Sequence, residues 1–361
     1  MRTLTTPLCT LEPQHAGHAP ELFEVLGDPA IYEYEGQPPP SLERLTAGLQ
    51  RKQSRRSPDG SEHWLNWVVR RPGGALAGYV QATVLPGGEA LVGYELASRH
   101  WRQGLGSAAV AAMLAEVTAT CGVHRFVALL KRANLRSRGL LHKLGFTPMP
   151  AELAAAHDAP ADEDVLHRPA WPLAAPPTAL TPPTLHTERL ILRPPDAAAV
   201  GLYQRFYTDA AASRAYGGPL TPAAAWARLL ADRGSWAVLG WGVWVLQRRP
   251  PGDGPASSWV DPSAGPSAGL LGTCGYWQGP GWPRELTWWL LPEARGTGLA
   301  TEASQAVIRH AFETWHWPAV DTCMNDDNAA ARALALRLGL APVARVTCPD
   351  GEARHLHRRW A

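Results

Sequence analysis

The sequence predicts two consecutive α/β domains, each with a mixed sheet of parallel and antiparallel strands. A short strand, a glycine-bearing turn and a helix follow one another over residues 285–315, and the same succession occupies residues 92–110. The offset that pairs Gly104 with Gly298 pairs further positions without a gap: Asn134 with Asn328, Arg138 with Arg332, Leu144 with Leu338, Gly145 with Gly339 and Pro148 with Pro342. We interpret the chain as a tandem duplication of one domain.

Length agrees with this interpretation, because 361 residues are enough for two domains that each bury a core. We expect an N-terminal domain over residues 1–171, a C-terminal domain over residues 185–361, and a semi-rigid linker between them. The linker, residues 172–184, is dense in proline.

Charge and cysteine usage exclude several classes of partner. Lys and Arg number 34 against 32 Asp and Glu, a net charge of +2, which does not suggest a nucleic-acid scaffold. The basic cluster at residues 51–56 is interpreted as a solvated helix face or loop. Five scattered cysteines indicate neither a metal site nor a disulfide framework. With no signal peptide and no long apolar run, we expect a soluble cytoplasmic protein that does not bind a membrane.

Each half begins with the same elements. The patterns predict, in order, a strand at residues 6–13 and 187–194, a helix at 17–26 and 197–207, a second helix starting near Ser41 and Thr221, and a hairpin at 64–85 and 242–277. A Pro/Gly/Ser-rich insertion, residues 250–268, lies within the second hairpin and is expected to be a surface loop.

The elements after the glycine turn also match. They are a strand at residues 125–130 and 319–324, a short helix at 134–144 and 328–338, and a closing strand at 165–168 and 355–358. Gly145 and Gly339 follow the short helices, as expected of residues that end a helix.

The glycine turn itself is a candidate anion site. In a strand–turn–helix geometry, the amides of residues 296–300 can point at one spot at the positive end of the helix, with Arg295 nearby. Phosphate oxygens suit such a site. The alternative is a tight turn that only starts a helix.

Both halves resemble the GNAT superfamily of acetyl-CoA-dependent N-acetyltransferases, which is expected to give each half a GNAT-like acyl-CoA N-acyltransferase fold. The resemblance is carried by the strand, glycine turn, helix and strand, followed by a short helix that begins at Asn134 or Asn328 and ends at glycine. Within the superfamily, the second half resembles the ribosomal-protein N-terminal alanine and serine acetyltransferases, through T-E-R-L-I-L-R-P and R-G-T-G-L-A-T-E-A.

The resemblance implies which residues hold acetyl-CoA, and no metal is implied. The family turn places the pyrophosphate on Arg102, Gln103, Gly104, Leu105, Gly106 and Ser107 in the first half, and on Arg295, Gly296, Thr297, Gly298, Leu299, Ala300 and Thr301 in the second. Trp101 stands where the family has Gln or Arg. Asn134 and Asn328 match the asparagine that contacts the pantetheine arm, and a simple helix cap remains the alternative.

The implied reaction is direct transfer of acetyl from a thioester to an amine that has first lost a proton. Candidate bases are Glu95 and Glu285, although the offset places Glu95 opposite Trp289 and Glu285 opposite Leu91. A backbone N–H of the strand before the turn stabilises the thioester oxygen in this family. The tyrosine that often protonates the thiolate is replaced by Leu141 and Ala335, so Ser137 or water must substitute. Ala331 stands in the place of Ser137 in the second half.

Several functional questions stay open at this point. The acceptor is a primary amine of a small molecule or of a protein N-terminus, and one half is catalytic with the other structural, or both transfer acetyl. A non-catalytic acyl-CoA sensor or scaffold and an antibiotic-modifying acetyltransferase are the alternatives. Some of the many tryptophans of the second half are candidates to line an acceptor pocket. The chain is expected to be a monomeric pseudo-dimer or a homodimer.

Overall fold

The computed structural model describes residues 1–34, 39–170, 182–249 and 269–361. The contacts divide the chain into two compact units, Met1–Trp171 and Pro172–Ala361. The predicted insertion at residues 250–268, and the predicted linker up to residue 181, lie outside the described residues.

The N-terminal unit alternates strands and helices in the predicted order. Its strands are β1 (Leu4–Thr5), β2 (Thr10–Pro13), β3 (His63–Arg70), β4 (Leu76–Val84), β5 (Glu89–Leu96), β6 (Arg125–Lys131), β7 (Thr147–Pro148) and β8 (Glu163–Pro169). Its α-helices are α1 (Ala19–Leu26), α2 (Leu42–Lys52), α3 (Leu105–Cys121), α4 (Leu135–Lys143) and α5 (Ala151–Ala154).

These strands form one mixed sheet in the order β1-β2-β3-β4-β5-β6-β8-β7. Neighbours are antiparallel except β5 and β6, which run parallel and pair only over residues 89–91 and 125–127. Residues of α3 and α4 pack on one face, around Val110, Met113 and Leu141. Residues of α1 and α2 pack on the other, around Leu22 and Leu49.

The C-terminal unit repeats this plan. Its strands are β9 (Leu185–His186), β10 (Leu190–Arg193), β11 (Val243–Arg248), β12 (Leu270–Trp277), β13 (Glu285–Leu290), β14 (Ala319–Met324), β15 (Ala341–Thr347) and β16 (Ala353–Trp360). Its α-helices are α6 (Val200–Tyr207), α7 (Ala210–Ser213), α8 (Pro222–Leu239), α9 (Leu299–Glu313) and α10 (Ala329–Arg337).

The sheet of this unit is split in two. One part has the order β13-β12-β11-β10-β9 and the other the order β14-β16-β15, so β13 and β14, the counterparts of β5 and β6, are edge strands. Helices α9 and α10 pack around Val307 and Leu334 on one face. Helices α6 and α8 pack on the other, around Phe206 and Leu229.

The predicted helix starts are confirmed at the atomic level. The Ser41 hydroxyl accepts a hydrogen bond from Arg44 N (3.2 Å), and the Thr221 hydroxyl accepts one from Ala224 N (3.2 Å). These bonds satisfy amide groups that the first turn of a helix leaves without an intrahelical partner.

The opening segments differ from the prediction of one strand each. Residues 6–13 and 187–194 each begin with a tight turn, and only their second parts, β2 and β10, are strands; the turn joins them to the shorter antiparallel strands β1 and β9. The reason is a threonine in each: Thr6 Oγ1 accepts from Cys9 N at 3.0 Å, and Thr187 Oγ1 accepts from Leu190 N at 3.0 Å. A hydroxyl that bonds the nearby backbone competes with the strand ladder.

Across the described parts of the chain, every helix is too short or too polar to cross a membrane.

Candidate active sites

A gap beside the strand that precedes the glycine turn is the central feature of each half. The strand β13 pairs with β12 such that Leu291 N donates to Leu271 O (2.8 Å) and Trp289 lies opposite Thr273. Backbone groups alternate sides along an antiparallel strand, so those of Trp288 and Leu290 point away from β12 and into the gap. The same alternation turns the backbone groups of Tyr94 toward the widening space between β5 and β6.

The glycine turns have the backbone that an anion site requires. Gly104 (φ 78°) and Gly298 (φ 82°) are the N-cap residues of α3 and α9, and no side chain of the described residues caps either helix. Arg102 (φ 58°) and Gly296 (φ 74°) are also left-handed, so both turns follow one path. The first amides of each helix are therefore available to phosphate oxygens.

Trp101 makes the same backbone hydrogen bond as Arg295, its counterpart in the second half. The Arg295 guanidinium donates through Nε to Leu290 O (3.0 Å), while the Trp101 indole donates through Nε1 to the equivalent carbonyl, Leu96 O (2.7 Å). Both bonds tie the glycine turn to the end of the preceding strand. The Arg136 guanidinium lies over the Trp101 ring, 4.4 Å from its centre.

The other predicted turn residues lie at or just beneath the surface. Exposed positions are Arg102, Gln103, Gly104, Arg295, Gly296, Thr297 and Gly298; half-buried ones are Ser107, Ala300 and Thr301; and Leu105, Gly106 and Leu299 are buried. A Cβ at Gly106 would lie 2.8 Å from Leu140 Cδ1, so this glycine is needed for helix packing.

Asn134 and Asn328 are helix caps. The side-chain oxygen of Asn134 accepts from Ser137 N (3.0 Å), and that of Asn328 accepts from Ala331 N (3.1 Å). The cap uses the oxygen of each side chain and does not use the amide nitrogen, which is a hydrogen-bond donor.

Ser137 lies beside a buried phenol. Its Oγ is 2.7 Å from Tyr94 Oη, and burial raises the pKa of Tyr94 to about 12, so the phenol stays protonated. In the second half, Trp288 and Ala331 occupy these two positions, and neither carries a hydroxyl. Leu141 and Ala335, which replace the usual tyrosine, are buried core residues.

Glu285 bridges the gap in the second half. Its Oε2 accepts a hydrogen bond from Cys323 N of β14 (3.3 Å). Burial raises the pKa of Glu285 to about 7, and the Cys323 bond and nearby arginines oppose that rise only in part. The side chain shares a sheet face with Thr287 and Trp289, which we call the α8 face.

Arginine and aromatic side chains surround Glu285 on the α8 face. The guanidinium of Arg228 lies 5.4 Å from the centre of the Trp277 ring. Its Nε is 3.7 Å from the buried Asp232, which accepts from Tyr203 Oη at 2.8 Å. From the other side, the Tyr216 hydroxyl donates to the Trp288 carbonyl, a group on the gap edge of β13.

Glu95 has a different setting from Glu285. It lies opposite Tyr79, on the face covered by α2, and Leu91 takes the place of Glu285 in this half. Lys52, at the end of α2, donates from Nζ to Gln81 Oε1 (3.2 Å) on the same face. Lys52 is half-buried, so the interpretation of residues 51–56 as a solvated cluster is wrong at this position.

Sequence reasoning did not identify Lys52, Arg228, Tyr216 or the task of Trp101. Lys52, Arg228 and Tyr216 each reach a site from an element distant in sequence, and no spacing rule relates a helix residue to a strand residue. The only available signal was Trp101 itself, which stands where a hydrogen-bond donor is usual.

Solved structures that are similar to parts of this chain include several acetyltransferases. A solved acetyltransferase from Agrobacterium tumefaciens is 27% identical, with 52% of this chain and 100% of that one covered and a TM-score of 0.41. A GNAT-family acetyltransferase from Bordetella pertussis is also 27% identical, with coverage of 49% and 99% and a TM-score of 0.38.

A third solved structure is the Salmonella typhimurium acetyltransferase that modifies the N-terminal serine of ribosomal protein L7/L12, at 17% identity, coverage of 46% and 99%, and a TM-score of 0.39. Among curated proteins none matches this chain. The family model of the acetyltransferase (GNAT) domain matches residues 9–147 and again residues 189–341. The chain therefore belongs to the GNAT family of acetyl-CoA-dependent N-acetyltransferases, with one such domain in each half.

Proposed function

We propose that the C-terminal half transfers acetyl to an external primary amine, of a small molecule or a protein N-terminus, with Glu285 as the general base. The observation that carries this proposal is the position of Glu285. Its carboxylate lies at the gap between β13 and β14, and its pKa of about 7 suits a group that gives and takes a proton near neutral pH.

The residues around the gap fit acetyl-CoA. The uncapped first turn of α9 offers amides to the pyrophosphate, and the Asn328 amide nitrogen is placed for the pantetheine arm. The edge strand β13 offers the N–H groups of Trp288 and Leu290 to the remaining polar atoms. When bound, acetyl-CoA supplies a thioester carbonyl that an amine can attack.

We assign the cofactor and the amine to opposite faces of the sheet. Since α9 begins on one face, the cofactor enters from that side, and the amine approaches through the gap from the α8 face, where Glu285 takes its proton. The Trp288 N–H donates to the developing negative charge on oxygen. Tyr216 holds the Trp288 carbonyl, which belongs to the next peptide group, and so steadies the backbone of Trp288. The leaving thiolate takes its proton from water, because Ala331 and Ala335 carry no hydroxyl.

The first half keeps the glycine turn but has Leu91 in the place of Glu285. We therefore assign transfer to external amines to the second half alone. The first half holds acetyl-CoA through Arg102–Ser107 amides and the Asn134 amide nitrogen, without a base at the Glu285 position.

Release of free thiol tests the proposal, with acetyl-CoA and a panel of amines: peptides beginning with serine or alanine, small amines and an aminoglycoside. Gly298→Glu should abolish the release that depends on added amine, because it puts a negative side chain at a left-handed position of the phosphate turn. Gly104→Glu makes the matched change in the first half and should preserve release.

Two outcomes would contradict the proposal. Loss of thiol release with Gly104→Glu and its survival with Gly298→Glu would place catalysis in the first half. Binding of acetyl-CoA without thiol release for any amine would instead indicate a sensor or scaffold.

A further inference from the structure

An amine of the protein itself lies over β4, one strand away from the gap of the first half. Lys52 Nζ donates to Gln81 Oε1 at 3.2 Å and is 5.9 Å from the centre of the Tyr79 ring. Both partners belong to β4, which is next to β5 in the sheet. The ammonium therefore lies over the sheet rather than in bulk solvent.

The register places this amine next to the part of β5 that borders the gap. Gln81 lies opposite Gly93 and Tyr79 lies opposite Glu95. The peptide N–H of Tyr94, between them, faces the space where β5 and β6 diverge. It is the counterpart of the Trp288 N–H that the proposed function assigns to the thioester oxygen.

A glycine on β5 makes room for the side chain that holds Lys52. On β5, a Cβ at Gly93 would be 2.8 Å from Gln81 Nε2, so this glycine leaves space for the Gln81 side chain that holds the amine.

The second half has no equivalent amine. Counting from the N-cap residues Ser41 and Thr221, Asp232 takes the place of Lys52 and Arg228 the place of Gly48. A carboxylate and a guanidinium cannot accept acetyl as an amine does. The arrangement over β4 and β5 is therefore specific to the first half.

The environment also favours the reactive form of the amine. Burial lowers the pKa of Lys52, an effect that the Glu95 carboxylate opposes in part. The other two lysines differ: Lys131 is paired with Asp162 (3.0 Å) and Glu163 (3.1 Å), and Lys143 is exposed.

We infer that Lys52 is an internal acetyl acceptor, acetylated by the first half of its own chain. Lys52 Nζ forms the new bond to the acetyl carbon while the carbon–sulfur bond of acetyl-CoA breaks. One proton of the ammonium leaves to Glu95 or solvent before the attack, the nitrogen loses a second proton to solvent as the amide forms, and the thiolate takes one from solvent. The inference rests on the proposal above that the first half holds acetyl-CoA.

Peptide mass spectrometry of the full-length protein tests this inference. Acetyl occupancy of Lys52, Lys131 and Lys143 is read before and after incubation with acetyl-CoA, with wild type, Gly104→Glu and Gly298→Glu. We expect acetylation at Lys52 to exceed that at exposed Lys143 by about tenfold or more, because a held amine has a high effective concentration. It should be lost with Gly104→Glu, persist with Gly298→Glu, and follow a rate independent of protein concentration.

A competition experiment with CoA tests the inference without any variant, and so does not depend on a variant that folds. With wild-type protein, excess CoA should slow acetylation of Lys52 and leave chemical acetylation of Lys143 unchanged. Equal acetylation of the two lysines, a rate that rises with protein concentration, or loss of Lys52 acetylation with Gly298→Glu would each overturn the inference.

Thiol release with external amines, measured on the same wild-type sample, separates the two proposals. Turnover of external amines with Lys52 unmodified would refute the inference and leave the proposed function standing. Acetylation of Lys52 without turnover of external amines would refute the proposed function and leave the inference about Lys52 standing.

Discussion

Glu285 sets how the second half depends on pH. With a pKa raised to about 7, the carboxyl is mostly protonated below that pH and cannot take a proton from the amine. We therefore expect kcat/KM for an external amine to rise with pH along a limb centred near 7. In Glu285→Gln this limb should disappear and kcat/KM should fall roughly a hundredfold, as is usual on removal of a general base.

The exposed Glu313, at the end of α9, provides a matched control. Glu313→Gln removes the same charge and should leave both the rate and the pH limb unchanged. If the limb near pH 7 survived in Glu285→Gln, a different group would have to be the base.

The hydrogen bond that Arg295 and Trp101 have in common leads to one prediction about the glycine turn. Both donate to the carbonyl at the end of the preceding strand, so Arg295→Trp should keep this bond and Arg295→Leu should lose it. For Arg295→Leu we expect binding of acetyl-CoA to the second half to weaken by about 1.5–3 kcal/mol, the scale of one hydrogen bond from a charged donor. Titration calorimetry of both variants checks this, and equal losses would mean that Arg295 acts by its charge on the phosphates.

At the scale of elements, the unpaired edge of β13 predicts where binding protects the backbone. Acetyl-CoA should slow hydrogen exchange at Trp288, at Leu290 and in the first turn of α9, because these amides gain partners. Amides in the middle of α8, which already bond within the helix, serve as the internal reference. Protection confined to α8 would place the ligand away from the gap.

The order of strands and helices was largely predictable from sequence, because duplication displays each pattern twice. The glycine turns and the strand β14 were placed within a residue or two. The split between β13 and β14 could not be predicted from these patterns. It depends on which strand edges pair, and the residues of one strand do not show which strands lie next to it. Glu285 was found on its strand, whereas its Cys323 partner and the Lys52 amine depend on tertiary packing.

At the scale of the whole molecule, the two halves keep one backbone plan and differ in side-chain chemistry. The first has a hydroxyl pair, Tyr94 and Ser137, where the second has Trp288 and Ala331. The second has Glu285 where the first has Leu91. Shared glycine turns beside different side chains at the gap indicate that the backbone of the turn was kept after duplication while the side chains at the gap diverged.

This division predicts two ligand-linked effects on stability. A ligand that binds only the folded state stabilises it, by about 2.7 kcal/mol at a hundred times its Kd. If both halves hold acetyl-CoA, calorimetric titration should show two sites, and the cofactor should raise the midpoint of thermal unfolding of each half. Gly104→Glu should remove one site and the shift of the first half, and Gly298→Glu the other. A single site lost only with Gly298→Glu would leave the first half without cofactor, and acetylation of Lys52 would then have to come from outside the chain.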